Sequence, residues 1–164
     1  MLTFILAAVL TAIPAYFIWT ALHELAHYLM ASRFRETSNV KFKLYPHKDP
    51  GQDFVWASVE YTLTSALSPI ETTAVMLAPR ILGFVALCLL PLSALFPFMW
   101  LQAVWMVFWG AGLVDMAWGS IGYTATSDLQ RAAKSMRWNP WFLRILGWSL
   151  VLVSFAIMIV VFVI

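Results

Sequence analysis

The chain has 164 residues, 62% of them hydrophobic and 11% charged, with a mean hydropathy of +0.82. A soluble core of this size cannot hide so much apolar surface, so composition excludes a water-soluble globule and points to an integral membrane protein. The net charge of +2 gives no basis for a nucleic-acid partner, and a lone cysteine, Cys88 in an apolar run, excludes an internal disulfide and a cysteine-based zinc site.

Residues 2–22 carry no formal charge over 21 positions, enough to cross a hydrocarbon layer of about 30 Å at about 1.5 Å per residue. The span is expected to run to about residue 31, before Arg33 and Arg35. No basic segment precedes it, so it reads as a retained anchor rather than a cleaved signal peptide. Pro14 lacks an amide hydrogen and predicts a kink that leaves the Leu10 carbonyl for another partner. Residues 33–62 then turn polar, holding five of the ten basic residues and half of the acidic ones. Strict alternation over 39–44 and β-branched and aromatic residues over 54–61 flank Pro46, His47, Lys48, Asp49, Pro50 and Gly51. That is turn chemistry, and it predicts a β-hairpin over about 39–62. The hairpin is either an interfacial loop or an edge that pairs with an extended peptide. His47, in the turn, reads as solvated.

A second span is expected over about 72–96, entered through Pro69 and Glu71 and interrupted by Pro79, read as a kink, and by Arg80 close to the polar side. Pro91 and Pro97 bracket an uncharged turn before a third span, about 98–118, which holds Asp115. Gly110, Gly112 and Gly119 there would admit a close helix neighbour. Asp128 opens a short polar, helical stretch with Arg131 and Lys134, and Arg137 follows. The last span, about 143–164, has Arg144 as its only charge. The fold class is therefore an all-α polytopic membrane protein, one domain over residues 1–164, with about four transmembrane helices and a small β-hairpin. The two basic loops are separated by an even number of spans and the turn between them is bare. The positive-inside rule then puts both loops, and the hairpin, in the cytoplasm.

At the cytoplasmic end of the first span stand His23, Glu24, Leu25, Ala26 and His27. Residues four apart on a helix lie about 40° apart around the axis and about 6 Å along it, so both imidazoles can reach one tetrahedral zinc. In such an H-E-x-x-H pattern the glutamate is the general base beside the metal rather than a ligand. The alternative is a chance match of two helix-end histidines at a membrane surface. Ionisable groups against a bilayer are rare unless they serve a site, which favours the metal. Haem is a weak alternative, because histidines at i and i+4 cannot take opposite faces of one macrocycle. A catalytic zinc usually has a third protein ligand. Glu36, His47, Asp49, Asp53, Glu60, Glu71, Asp115 and Asp128 are the choices. Asp128 reads equally as a helix cap and Asp115 as a partner for Arg80, and depth alone does not separate them.

This motif at the end of a transmembrane helix, followed by a hairpin, an Ala78-Pro79 membrane segment and a downstream aspartate, resembles the site-2 protease group of intramembrane zinc metalloproteases. It is similar in particular to the small zincin-like members. The five-residue motif is the specific part of that likeness. The Leu-Asp-Gly motif that holds the third ligand in the main group has no counterpart here beyond Leu113, Val114 and Asp115, whereas Ser127, Asp128 and Leu129 resemble the helix-start aspartate of the smaller relatives. The resemblance thus implies zinc on His23, His27 and Asp128, with Asp115 the runner-up, and Glu24 as catalytic base. It also implies cleavage of a transmembrane or membrane-proximal segment of a membrane protein or peptide. The missing motif and small size keep a second reading open, a non-catalytic membrane subunit that retains the metal-binding motif.

Overall fold

The computed structural model describes residues 2–48, 54–55, 57–121 and 127–163. The chain is mostly helical, with a small antiparallel sheet region between the first two helices. Helix α1 (Leu2–Phe34) has no glycine and is continuous past Pro14. Thr11 and Thr20 return their hydroxyls to the carbonyls of Ala7 and Tyr16, at 2.7 and 2.9 Å, so their polar groups stay inside the helix. Ala15, Trp19, His27 and Ala31 are its buried residues. They recur at multiples of four, and His23 falls on the same line, so the two histidines continue the packing stripe of the helix. Leu6, Leu10, Ile13 and Phe17 are exposed on other faces, as suits a surface solvated by lipid.

Strand β1 (Thr37–Lys43) pairs with β4 (Ser58–Leu63), and β2 (His47–Lys48) pairs with β3 (Phe54–Val55). The register jumps between Ser38 and Lys41, where Asn39 takes φ 53°, a conformation that asparagine tolerates better than most residues. β4 has no such break. Thr64 donates to Glu36 at 3.2 Å on the side of β1, whereas the Val59 amide points the other way, to Glu24. Backbone groups alternate along a strand, so Val59, Tyr61 and Leu63 present theirs on the edge away from β1.

Helix α2 (Pro69–Leu89) starts with a complete capping box: Ser68 accepts from the Glu71 amide and Glu71 accepts from the Ser68 amide. Arg35 grips both Glu71 carboxylate oxygens, at 2.9 and 3.0 Å, and so fastens the end of α1 to the start of α2. A 3-10 turn (Leu90–Leu95) containing Pro91 leads to α3 (Met99–Ile121), then α4 (Asp128–Met136) and α5 (Pro140–Val163). Among the described residues, three stretches are long and apolar enough to cross a membrane: Leu2–Phe34, Pro69–Leu95 and Met99–Ser120.

The helices begin and end a few residues from the expected spans, because caps and interfacial residues continue helical geometry beyond the uncharged core of each run. Neither Pro14 nor Pro79 ends its helix. α1 packs on α2 and α3, and α4 packs Leu129, Ala132 and Ala133 against Met76, Leu77 and Leu143. A side chain at Gly112 would overlap the Trp19 indole, and one at Gly119 the Arg80 guanidinium, so both glycines make room as expected. Gly110 does not: nothing lies within 4 Å of where its Cβ would be.

Candidate metal centre

Three elements meet at the cluster. α1 supplies His23 and His27, whose rings stand edge to face with centroids 5.0 Å apart. α4 supplies Asp128 as its first residue, and α3 supplies Asp115 from its second half. Ser127, not Asp128, is the N-cap of α4, its hydroxyl accepting from the Gln130 amide. Asp128 is thereby released from capping and sits at the positive end of the helix dipole, which favours its charged form.

Asp128 Oδ2 lies 3.1 Å from His27 Nε2 and 3.3 Å from His23 Nε2. Asp115 meets His23 on its other nitrogen, with Oδ2 2.8 Å from Nδ1. His27 donates from Nδ1 to the Val75 carbonyl of α2 at 2.7 Å, since a carbonyl can only accept, and this leaves Nε2 directed at Asp128. The Asp128 carboxyl is pushed up by its partial burial, but its hydrogen bonds to His23 and His27 outweigh that and hold it below the usual carboxylate range.

Among the described residues, ligand atoms of His23, His27 and Asp128 all lie within 4.8 Å of one another. A tetrahedral zinc with ligand bonds of about 2.0–2.1 Å sets neighbouring ligand atoms about 3.3 Å apart. The two nitrogen to oxygen separations, 3.1 and 3.3 Å, match that edge, and the donor set of two imidazoles and one carboxylate suits zinc. The residues present therefore fit the metal that the motif implies. Asp115 and the Val75 carbonyl each hold the far nitrogen of one histidine, the place where metal-binding imidazoles are commonly anchored.

Glu24 accepts from the Val59 amide of β4 through Oε2 at 3.2 Å. That bond ties the carboxylate to the hairpin. Tyr61, two residues further along β4, packs its ring edge to face on Tyr28, at 6.0 Å. Burial raises its phenol above the ordinary value of 10.0, and the nearby Glu24 charge raises it further.

The other sequence candidates go elsewhere. His47 is half-buried and tied into the hairpin, with Nδ1 2.6 Å from the Tyr45 carbonyl and Nε2 2.9 Å from Ser58 Oγ. Glu60 pairs with Lys43 and Glu71 with Arg35. Glu36 joins α1 to β1 and accepts Thr64 through its main chain. Asp49 and Asp53 lie outside the described residues. Arg80 does not pair with Asp115; its Nη1 donates to the Met116 carbonyl at 2.6 Å. Sequence reasoning missed Val75, Val59 and Tyr61. Two of these contribute only main-chain atoms, which no side-chain motif encodes.

Comparison of the chain with protein-family models, with curated proteins and with solved structures finds no match in any of the three. The functional reading therefore rests on the residues and their geometry.

Proposed function

We propose that the chain is a membrane-embedded zinc metallopeptidase of the site-2 protease kind. The observation that carries the reading is the convergence of His23 Nε2, His27 Nε2 and Asp128 Oδ2 at the end of an apolar helix, with Glu24 one residue from His23. In this reading α5 is a fourth span, and the basic loops, the hairpin and the site face the cytoplasm. Zinc held by the three side chains would supply Lewis acidity and lower the pKa of a bound water to near neutrality. Glu24 takes a proton from the attacking water and returns it to the leaving amine nitrogen. Asp115 and Val75 keep the imidazoles turned toward Asp128. The outward edge of β4 accepts an extended peptide by main-chain pairing, the form in which a substrate exposes its amide bonds.

Glu24→Gln tests the assignment, because it keeps shape and hydrogen bonding while removing the base. Zinc content of the purified variant should equal that of wild type, at about one per chain, and cleavage of membrane-protein substrates should fall by about 10² to 10⁴-fold. Equal cleavage by both proteins refutes the role of Glu24. A wild type that binds zinc and cleaves nothing favours the non-catalytic subunit.

A further inference from the structure

The Val75 carbonyl that receives His27 belongs to α2, four residues before Pro79. In an α-helix the carbonyl of residue 75 is the acceptor for the amide hydrogen of residue 79. Proline has none, so the sequence of α2 leaves this one acceptor without its regular partner. Val75 is 0% exposed and Pro79 is buried, so water cannot reach in to replace the missing donor. His27, itself 7% exposed, carries a ring N–H that needs a buried acceptor. α1 and α2 thus each hold one half of a hydrogen bond, and docking them satisfies both.

We propose that Pro79 is a positioning residue: by withholding an amide hydrogen from Val75, it reserves that carbonyl for His27 Nδ1–H and fixes the ring orientation that turns Nε2 toward Asp128. A carbonyl can only accept, so the nitrogen facing Val75 carries a hydrogen whatever Nε2 does, and that bond sets the plane of the ring. With Val75 occupied by a helix amide, Nδ1–H would share a carbonyl already in use. The ring would then be free to turn, and Nε2 would leave its place 3.1 Å from Asp128. The inference rests on the metal reading only in its last step, since the bond from Nδ1–H to Val75 is a property of the metal-free protein.

The test is Pro79→Ala, which restores the amide hydrogen, beside Pro14→Ala, which makes the same change at a proline remote from the histidines. A third variant replaces residue 79 with the α-hydroxy analogue of alanine, so that an ester stands where the amide was: it has neither the proline ring nor an N–H. NMR of the imidazole N–H groups in the metal-free protein, with His27 assigned by a His27→Gln spectrum, reads the Nδ1–H and its exchange with water. Expected are a slowly exchanging His27 Nδ1–H in wild type, Pro14→Ala and the ester variant, and a fast-exchanging one in Pro79→Ala. Zinc affinity should fall about tenfold or more in Pro79→Ala alone, the range found when an outer partner of a metal-binding histidine is lost. Slow exchange in Pro79→Ala overturns the proposal, as does fast exchange in the ester variant, which would assign the effect to the ring and not to the missing hydrogen. If Pro79→Ala does not fold, Pro79→Gly restores the same amide hydrogen and is read in the same way. Failure of wild type to bind zinc would refute the metallopeptidase reading, while the exchange of Nδ1–H would still decide the role of Pro79.

Discussion

Asp128→Asn and Asp115→Asn should damage zinc binding unequally, and the inequality can be worked from the contacts. Asp128 Oδ2 lies within about a tetrahedral edge of both imidazoles. A four-ligand zinc site binds with about 10–16 kcal/mol, or about 2.5–4 kcal/mol per ligand, so loss of the Asp128 ligand should weaken affinity by about 10²–10³-fold. Asp115 instead touches His23 on Nδ1, at 2.8 Å. An asparagine there still offers a carbonyl to the ring N–H, and only the charge assistance goes. Charge-assisted hydrogen bonds contribute about 1.5–3 kcal/mol against about 0.5–1.5 for neutral ones, so the loss is near 1 kcal/mol and about five- to tenfold in affinity. Competition between the purified proteins and a graded series of chelators measures both, with bound zinc read by elemental analysis. If Asp115→Asn costs as much as Asp128→Asn or more, Asp115 is the ligand and the assignment of α4 to the site is wrong. If neither changes affinity, the three-residue site is refuted altogether.

Gly112→Ala should destabilise the protein by about 1–3 kcal/mol, since a Cβ there overlaps the buried Trp19 indole, whereas Gly110→Ala should be nearly neutral because its Cβ meets nothing. Thermal unfolding in one detergent compares the two, and equal losses would contradict the packing of α1 on α3. The Tyr61 phenol should titrate above 10.0, so it stays neutral as pH rises through the ordinary tyrosine range. A raised acid opposes folding once the unfolded phenol ionises, so wild type should lose stability above about pH 10 by a component that Tyr61→Phe lacks. The phenolate absorbance should show one late-titrating group fewer in that variant, and no change on substitution would place Tyr61 in open solvent.

Apolar runs and polar punctuation made the helices legible, because length without charge is a strong constraint against hydrocarbon. The hairpin was legible from alternation and turn residues, but the bulge at Asn39 was not, since register depends on the partner strand. His23, Glu24 and His27 stood out by spacing. Asp115 and Asp128 were both visible, yet their different partners depend on which imidazole nitrogen each reaches, and that is set by the docking of α3 and α4. Pro14 and Pro79 read as kinks, and both helices run on past them: neighbouring segments can answer a freed carbonyl, so a missing amide need not end a helix. The same rule that pointed to the Leu10 carbonyl, applied to Pro79, would have singled out Val75. Arg80 read as a charge near the polar side, whereas the gap at Gly119 admits it and the Met116 carbonyl receives it.

The bond between Glu24 and the Val59 amide would make the carboxylate and any peptide that paired along β4 rivals for one hydrogen. Val59 N–H lies on the edge of β4 turned away from β1, so a chain that pairs along that edge must take it. In a metallopeptidase built this way, an idle site keeps its base parked on the hairpin, and occupancy sets it loose. The strand would then act as a latch whose key is the substrate's own backbone, with water activation withheld until there is a peptide bond beside it to cut.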